Sequence, residues 1–113
     1  MNKDPKIFLR HILESIEWIE KDMRDLSEDG FLKNVPIQDA VVRRLEIIGE
    51  AIRNLPDDIK QMHPEVPWQD IMDMRNKLIH KYFGVDLNLV WGVIKNDIPS
   101  LKEQVEKMLG QLS

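Results

Sequence analysis

The sequence contains no cysteine, and this absence removes several classes of function. Without thiols the chain cannot form disulfides, thiolate zinc sites, iron–sulfur clusters or a cysteine nucleophile. The lack of cysteine also fits a reducing compartment. The three histidines are scattered and form no H-E-x-x-H pair, so neither a metal site nor a cofactor is expected.

Long apolar runs and glycine-rich loops are also missing. The longest stretch without a charged residue is 87–94, eight residues, whereas crossing a bilayer takes about 20. The first helical segment is interrupted by Arg10, Glu14 and Glu17, so it lacks the apolar centre of a secretory signal. We therefore expect no membrane association and a cytoplasmic location. No phosphate-binding loop or nucleophile elbow is present, which disfavours P-loop and serine hydrolase functions.

What is present is typical of a soluble helical domain. The 113 residues are 42% hydrophobic and 32% charged, with a formal net charge of −4, and such a chain forms one domain, 1–113, around one core. Apolar residues recur at helical spacing and nowhere alternate with period 2. The sequence therefore predicts an all-α fold, an antiparallel four-helix bundle with a short extra helical turn.

The predicted helix boundaries follow from caps and breaks. Breaks are expected at 30–36, 56–67 and 83–86. The helices are predicted to begin at Asp4-Pro5, near Ile37, at Pro67-Trp68 and at Asp86, with the short turn after Pro56-Asp57-Asp58. The first is expected to reach Leu26, the second Leu55, and the third to run toward His80 and end before Gly84.

Two further features of these helices bear on packing. The apolar stripe of the last helix keeps its phase across Pro99, which predicts a helix that continues with a kink, because the proline deprives the Lys95 carbonyl of its donor. Ile7 and Trp18 lie on the second side of the first helix. A partner chain and a closely packed four-helix core both explain that second strip.

The candidate site is the segment 75–82, which contains three fixed cations, a histidine, a tyrosine and no acid. Such a cluster attracts phosphate. Arg75 is suited to clamp a phosphate group, His80 to carry a proton near neutral pH, and Tyr82 to donate a hydroxyl or accept a modification. The alternative is structural: Lys77 and Lys81 form a solvated pair near a helix C-terminus, Arg75 makes an ion pair, and His80 and Tyr82 cap the helix end.

Helical spacing constrains how this segment can work. Arg75 and His80 are five residues apart and separated by about 140° around a helix, so one straight helix cannot direct both at one point. Either the helix distorts near His80, or two copies share a cleft in a homodimer, which we favour. Asn76 lies four residues before His80 and can orient its imidazole. Glu46 and Glu50 are acid–base groups, carboxylates that support Arg75 or, as we favour, partners in helix-surface ion pairs.

An ordered set of segments closely resembles the HepT toxin family of HEPN (higher eukaryote and prokaryote nucleotide-binding) domains. The segments are Gln38 to Ala51, Pro67 to Ile71, Met74 to Phe83, Val85-Asp86 and Val90-Trp91. The resemblance runs from Pro5 to about Val105. The family pattern R-x4-H-x-Y corresponds to Arg75, His80 and Tyr82, with no departure in the motif.

The resemblance implies an all-helical homodimer that acts as a metal-independent ribonuclease. In this family the ribonuclease is the toxin of a type VII toxin–antitoxin pair. Its MntA nucleotidyltransferase antitoxin silences it by transferring AMP to the motif tyrosine, here Tyr82. Lys77 and Lys81 are then expected to bind RNA. The runner-up hypothesis is a noncatalytic module whose basic pocket holds a nucleotide or docks the nucleotidyltransferase, and a purely structural helical adaptor is a third.

Overall fold

All regular structure in the described part of the chain is helical. The structure is a computed structural model that describes residues 4–80 and 86–112, with side chains at all of these positions except 75–80. The elements are α1 (Pro5–Met23), α2 (Glu28–Leu32), α3 (Val35–Asn54), α4 (Asp57–Met62), α5 (Trp68–His80), α6 (Leu87–Gly92), a π-helical segment (Val93–Asp97) and α7 (Ile98–Leu112). The predicted all-α fold is confirmed.

Helix α1 begins where its capping residues predict. The Asp4 carboxylate accepts a hydrogen bond of 3.0 Å from the Lys6 amide, and Pro5 occupies the first turn, where its missing N–H costs nothing. Its apolar stripe packs against α3 and α7. The fully buried residues of this contact include Leu9, Ile12, Ile16, Leu45, Ile48, Ile52 and Val105. Burial of this shared stripe is the main source of stability for the bundle.

The first predicted break contains more helix than the sequence suggested. Helix α1 ends at Met23, short of Leu26, because the chain turns at Asp25 with a φ of 61°. Ser27 then caps α2, a helix that the prediction missed, and this helix buries Phe31 completely. Helix α3 starts at Val35 rather than near Ile37, since Asn34 caps it through the Ile37 amide at 3.1 Å. The prediction of an uninterrupted break at 30–36 is therefore wrong.

The other boundaries agree closely with the sequence. Helix α4 follows Pro56, α5 begins at Trp68, and the Asp86 carboxylate caps α6 through the amides of Asn88 and Leu89. The predicted end before Gly84 lies outside the described residues.

The last helical run passes through Pro99, as its unbroken apolar phase predicts. The disturbance takes the form of the π-helical segment just before the proline, in which the Ile98 amide donates to the Val93 carbonyl five residues earlier. A proline removes one donor from the helix ladder, and a local change of hydrogen-bond register accommodates it. Continuity of the helix is therefore confirmed, with a π turn as its irregularity.

Ile7 and Trp18 are not covered by the described part of the bundle. Their side chains are 42% and 40% exposed. The Lys21 ammonium lies 4.9 Å from the centroid of the Trp18 ring, and the Arg44 guanidinium lies 5.4 Å from it. Within the described residues, the core therefore does not bury these two side chains, and the explanation by a partner chain stays a prediction.

Candidate active site on the fifth helix

The start of α5 is anchored by Trp68. Its side chain is buried, and its indole N–H donates to the carbonyls of Lys60 and His63 at 3.1 and 3.0 Å. The Lys60 carbonyl lies in the last turn of α4 and also accepts from the His63 amide at 3.2 Å, and the His63 carbonyl just past that helix also accepts from the Val66 amide at 3.2 Å. The indole therefore ties the end of α4 to the beginning of α5 and fixes where the fifth helix enters the bundle.

The same helix carries most of the candidate site. Helix α5 packs against α3 and buries Ile71 in the core. The backbone positions of Arg75, Asn76, Lys77 and His80 all lie in its last two turns. Lys81 and Tyr82, predicted for RNA binding and for modification, lie outside the described residues.

The backbone of α5 decides one question left open by the sequence. The helix is regular α-helix from Trp68 to His80, with no distortion before the histidine. Positions 75 and 80 are therefore about 140° apart around its axis, whereas positions 76 and 80 are about 40° apart. The arrangement suits Asn76 as a neighbour of His80, and it separates Arg75 from His80 within one copy.

Charge is distributed unevenly along α5. Asp70 and Asp73 lie in its first half, and every fixed charge from position 75 to position 81 is positive. Acidic residues near a helix N-terminus and basic residues near its C-terminus both complement the helix dipole. The sequence therefore places an acidic first half and a cationic last half on α5, although the whole chain is acidic.

The neighbouring acids have structural partners. Arg43 Nη1 lies 3.6 Å from Glu46 Oε2 on the surface of α3, so the ion-pair interpretation is correct for Glu46. His63 Nδ1 lies 3.3 Å from Glu65 Oε1. A hydrogen bond from the backbone amide of Glu65 lowers the pKa of this carboxyl. Desolvation opposes that effect, and His63 and then Lys107 lower the pKa as well.

The described residues contain no group of three or more His, Asp or Glu side chains positioned to hold a metal ion. Within the same residues, no helix is both long and apolar enough to span a bilayer.

The sequence analysis missed a set of carboxylates beside the candidate site. Glu65, Asp70, Asp73 and Asp97 line one groove together with apolar side chains. Asp70 and Asp73 are three residues apart and share a helix face, which the sequence does indicate. The proximity of Asp97 depends on how the last helix packs on α5, and no local pattern reveals it.

Comparison with known proteins gives consistent matches. The profile of the Ribonuclease HepT-like family matches residues 12–108. A Thermococcus cleftensis protein named "Probable ribonuclease HepT" is 49% identical over 108 residues, which is 96% of this chain and 98% of that protein. A Caldanaerobacter subterraneus protein, named as an inferred RNase, is 43% identical over 107 residues, covering 95% of this chain and 96% of that protein.

One relative is longer than this chain. A Methanocaldococcus jannaschii protein, whose name joins a gamma-glutamylcyclotransferase to an inferred RNase, is 54% identical over 112 residues. The match covers 99% of this chain and 50% of that protein, so this chain spans half the length of that relative. No solved structure matches the chain.

Proposed function

Because the chain belongs to the HepT-like ribonuclease family, we propose that it is a metal-independent endoribonuclease with Arg75 and His80 as its catalytic residues. The names of the relatives support ribonuclease activity. The concentration of cations at the end of α5 supports the same function, since an RNA phosphate needs a positive site.

The observation that carries the proposal is the position of Arg75 and His80 on one regular helix. Their separation of about 140° prevents one copy from directing both groups at the same phosphate. Two copies related by a twofold axis bring identical segments together. Ile7 and Trp18 add exposed apolar surface that association between copies can bury. We therefore propose a homodimer with one shared cleft.

The chemistry proposed for this cleft uses two histidines. One His80 accepts the proton of the ribose 2′-hydroxyl, and the 2′-oxygen attacks the adjacent phosphorus. The second His80 donates a proton to the leaving 5′-oxygen as the phosphorus–oxygen bond breaks. The products are a 2′,3′-cyclic phosphate and a free 5′-hydroxyl. Arg75 stabilises the charge on the pentacoordinate phosphorus.

Three other residues have supporting roles in the proposal. The Asn76 amide orients the imidazole of His80 from the same helix face. Lys77 and Lys81 attract the RNA backbone toward the cleft.

The direct test is RNA cleavage in EDTA by unmodified protein of verified mass. Wild-type protein is expected to cut tRNA or a synthetic messenger and leave cyclic phosphate ends. His80→Ala is expected to lose at least about a thousandfold in rate, because it removes both the general base and the general acid. His11→Ala, an exposed histidine on α1, is the matched control and retains activity. Equal cleavage by His80→Ala would contradict the proposal.

The alternative hypothesis, a noncatalytic nucleotide-binding module, predicts a different result in the same experiment. If wild-type protein is inert toward RNA yet binds ATP or AMP, and His80→Ala binds the nucleotide equally well, the noncatalytic interpretation replaces the enzyme. Loss of thermal stability in both Arg75→Ala and His80→Ala, with neither activity nor binding in the wild type, favours the structural adaptor.

The proposal includes control of this ribonuclease by a cytoplasmic toxin–antitoxin pair. The Tyr82 oxygen attacks the α-phosphorus of ATP on an MntA-type nucleotidyltransferase, loses its proton to solvent and releases pyrophosphate. The attached AMP blocks the cleft by its volume and its negative charge. Co-expression with the nucleotidyltransferase is expected to add one AMP unit to the intact mass and to abolish cleavage. Tyr82→Phe gains no mass, and a Tyr82→Phe protein that is still adenylylated would contradict this assignment.

A further inference from the structure

A groove lies between the beginning of α5 and the run from α6 to α7, with a volume of about 400 Å³. Its floor is apolar and formed by core residues: Val66, Ile71, Val93, Ile98 and Leu101. Leu89 also lines the groove and is 50% exposed. The groove thus offers apolar surface that a ligand can cover.

Four carboxylates surround this apolar floor, and we call the whole feature the acidic groove. Glu65, Asp70 and Asp73 come from the α5 side, and Asp97 comes from the opposite wall. No lysine, arginine or histidine is among the described residues that line it. An apolar strip with negative charge along both sides is therefore present on the surface.

Two of these carboxylates have no cationic partner among the side chains that the structure describes. Asp70 and Asp97 make no ion pair with any residue that the structure describes. Glu65 is paired with His63, and Asp73 accepts a hydrogen bond of 3.0 Å from the Gln69 amide. Solvent ions or a ligand can compensate the negative potential of Asp70 and Asp97.

The far wall of the acidic groove is built by the π-helical segment. Val93 and Asp97, its first and last residues, both line the groove. Single π turns within α-helices occur frequently at functional sites. This turn gives the wall one apolar and one acidic position.

From this arrangement we propose that the acidic groove binds an amphipathic helix with a basic margin, supplied by a different protein. An apolar face on such a helix fits the floor, as in other helix-in-groove interactions. Lysine or arginine side chains along its two edges meet Asp70 and Asp73 on one side and Asp97 on the other. The charges on both walls set the orientation and raise the association rate.

Nucleic acid is disfavoured in this groove, because the four carboxylates repel the phosphates of RNA or DNA. Among the described residues, the part of α5 that lines the groove runs from Asp70 to Met74. The proposal is independent of ribonuclease activity, and binding can be measured without RNA.

A designed peptide provides a defined probe. A fluorescein-labelled helix of about five turns carries leucine at every third or fourth position and lysine on both flanks. The comparison peptide keeps the leucines and replaces each lysine by glutamate. Anisotropy titration of the full chain is expected to show binding of the lysine peptide that weakens with salt, and at least tenfold weaker binding of the glutamate peptide. Amide shifts are expected at Leu89, Val93 and Leu101.

Two sets of variants locate the interaction. Asp70→Asn with Asp97→Asn is expected to weaken binding about tenfold and to reduce its salt dependence. The matched control, Asp39→Asn with Glu103→Gln, removes the same charge at exposed positions that do not line the groove and should change the dissociation constant less than twofold. Ser100→Trp places a large ring in the groove and should abolish binding, with thermal melts verifying that each variant folds.

Several results would overturn the proposal. These are equal binding of the two peptides, no effect of the Asp70 and Asp97 substitutions, or amide shifts confined to other surfaces. If Ser100→Trp instead dissolves an assembly of the chain with itself, the groove is an interface between copies. If short organic amines compete fully with the peptide at comparable affinity, the groove is a small-cation site.

Discussion

The first two turns of α5 and its last two turns differ in both anchoring and charge. The beginning is held by the Trp68 indole and by burial of Ile71, and it carries Asp70 and Asp73. The end carries Arg75, Lys77 and His80, with no acid. One helix therefore combines an anchored acidic half with a cationic half, and this difference separates what stabilises the fold from what is proposed to bind RNA.

The largest expected effect is that a substitution in the cationic half changes activity alone, whereas a substitution in the anchored half changes stability alone. Arg75→Ala is expected to reduce the cleavage rate at least about a hundredfold, because the cation that stabilises the charge on the pentacoordinate phosphorus is lost. The unfolding midpoint should stay nearly unchanged. Trp68→Phe is expected to cost about 1–3 kcal/mol of unfolding free energy, since the two partly buried hydrogen bonds that the indole makes are lost. Below its melting temperature this variant should keep the cleavage rate.

Urea unfolding and initial cleavage rates, measured on the same samples, test this separation. Trp18→Phe serves as the control for tryptophan replacement, because Trp18 is 40% exposed, and it should change stability little. A Trp68→Phe protein that is as stable as the wild type would refute the anchoring role of the indole. A wild-type cleavage rate in Arg75→Ala would remove the proposed catalytic cation.

A smaller effect is expected from the charges of the acidic half. Asp70→Asn with Asp73→Asn should raise RNA affinity a few-fold at low salt, because two repulsive charges near the cationic end are removed. Lys77→Ala with Lys81→Ala should act in the opposite direction. Filter binding of RNA over a range of salt concentrations measures both. If neutralising the aspartates leaves RNA affinity unchanged at every salt concentration, the two halves of α5 are electrostatically independent.

Local sequence signals account for most of the fold. The caps at Asp4 and Asp86 and the phase of the apolar stripe across Pro99 were sufficient, because each depends on residues within a turn or two. Helix α2 was missed because five residues are too few to display a period. The pair Ser27 and Glu28, a capping hydroxyl followed by an acid, was the available signal.

The candidate site was predicted less completely, for a geometrical reason. Residue types and spacing identified the segment 75–82, and the regular α5 backbone removed the option of a distorted helix up to His80. The acidic groove was not predicted, because Asp97 is distant in sequence from Asp70 and reaches the same groove only through helix packing. Contacts that depend on packing between helices leave no periodic signal in the chain.

The central claim is that two copies contribute His80 to one cleft, and subunit dilution tests it most directly. Wild-type protein is mixed with His80→Ala protein, the subunits are allowed to exchange, and cleavage is measured against the wild-type fraction. The account predicts a rate that follows the square of that fraction, so an equal mixture retains about a quarter of the wild-type rate, since random pairing gives this share of wild-type dimers. A rate that falls in direct proportion to the wild-type fraction would contradict the shared cleft and assign a complete site to each copy.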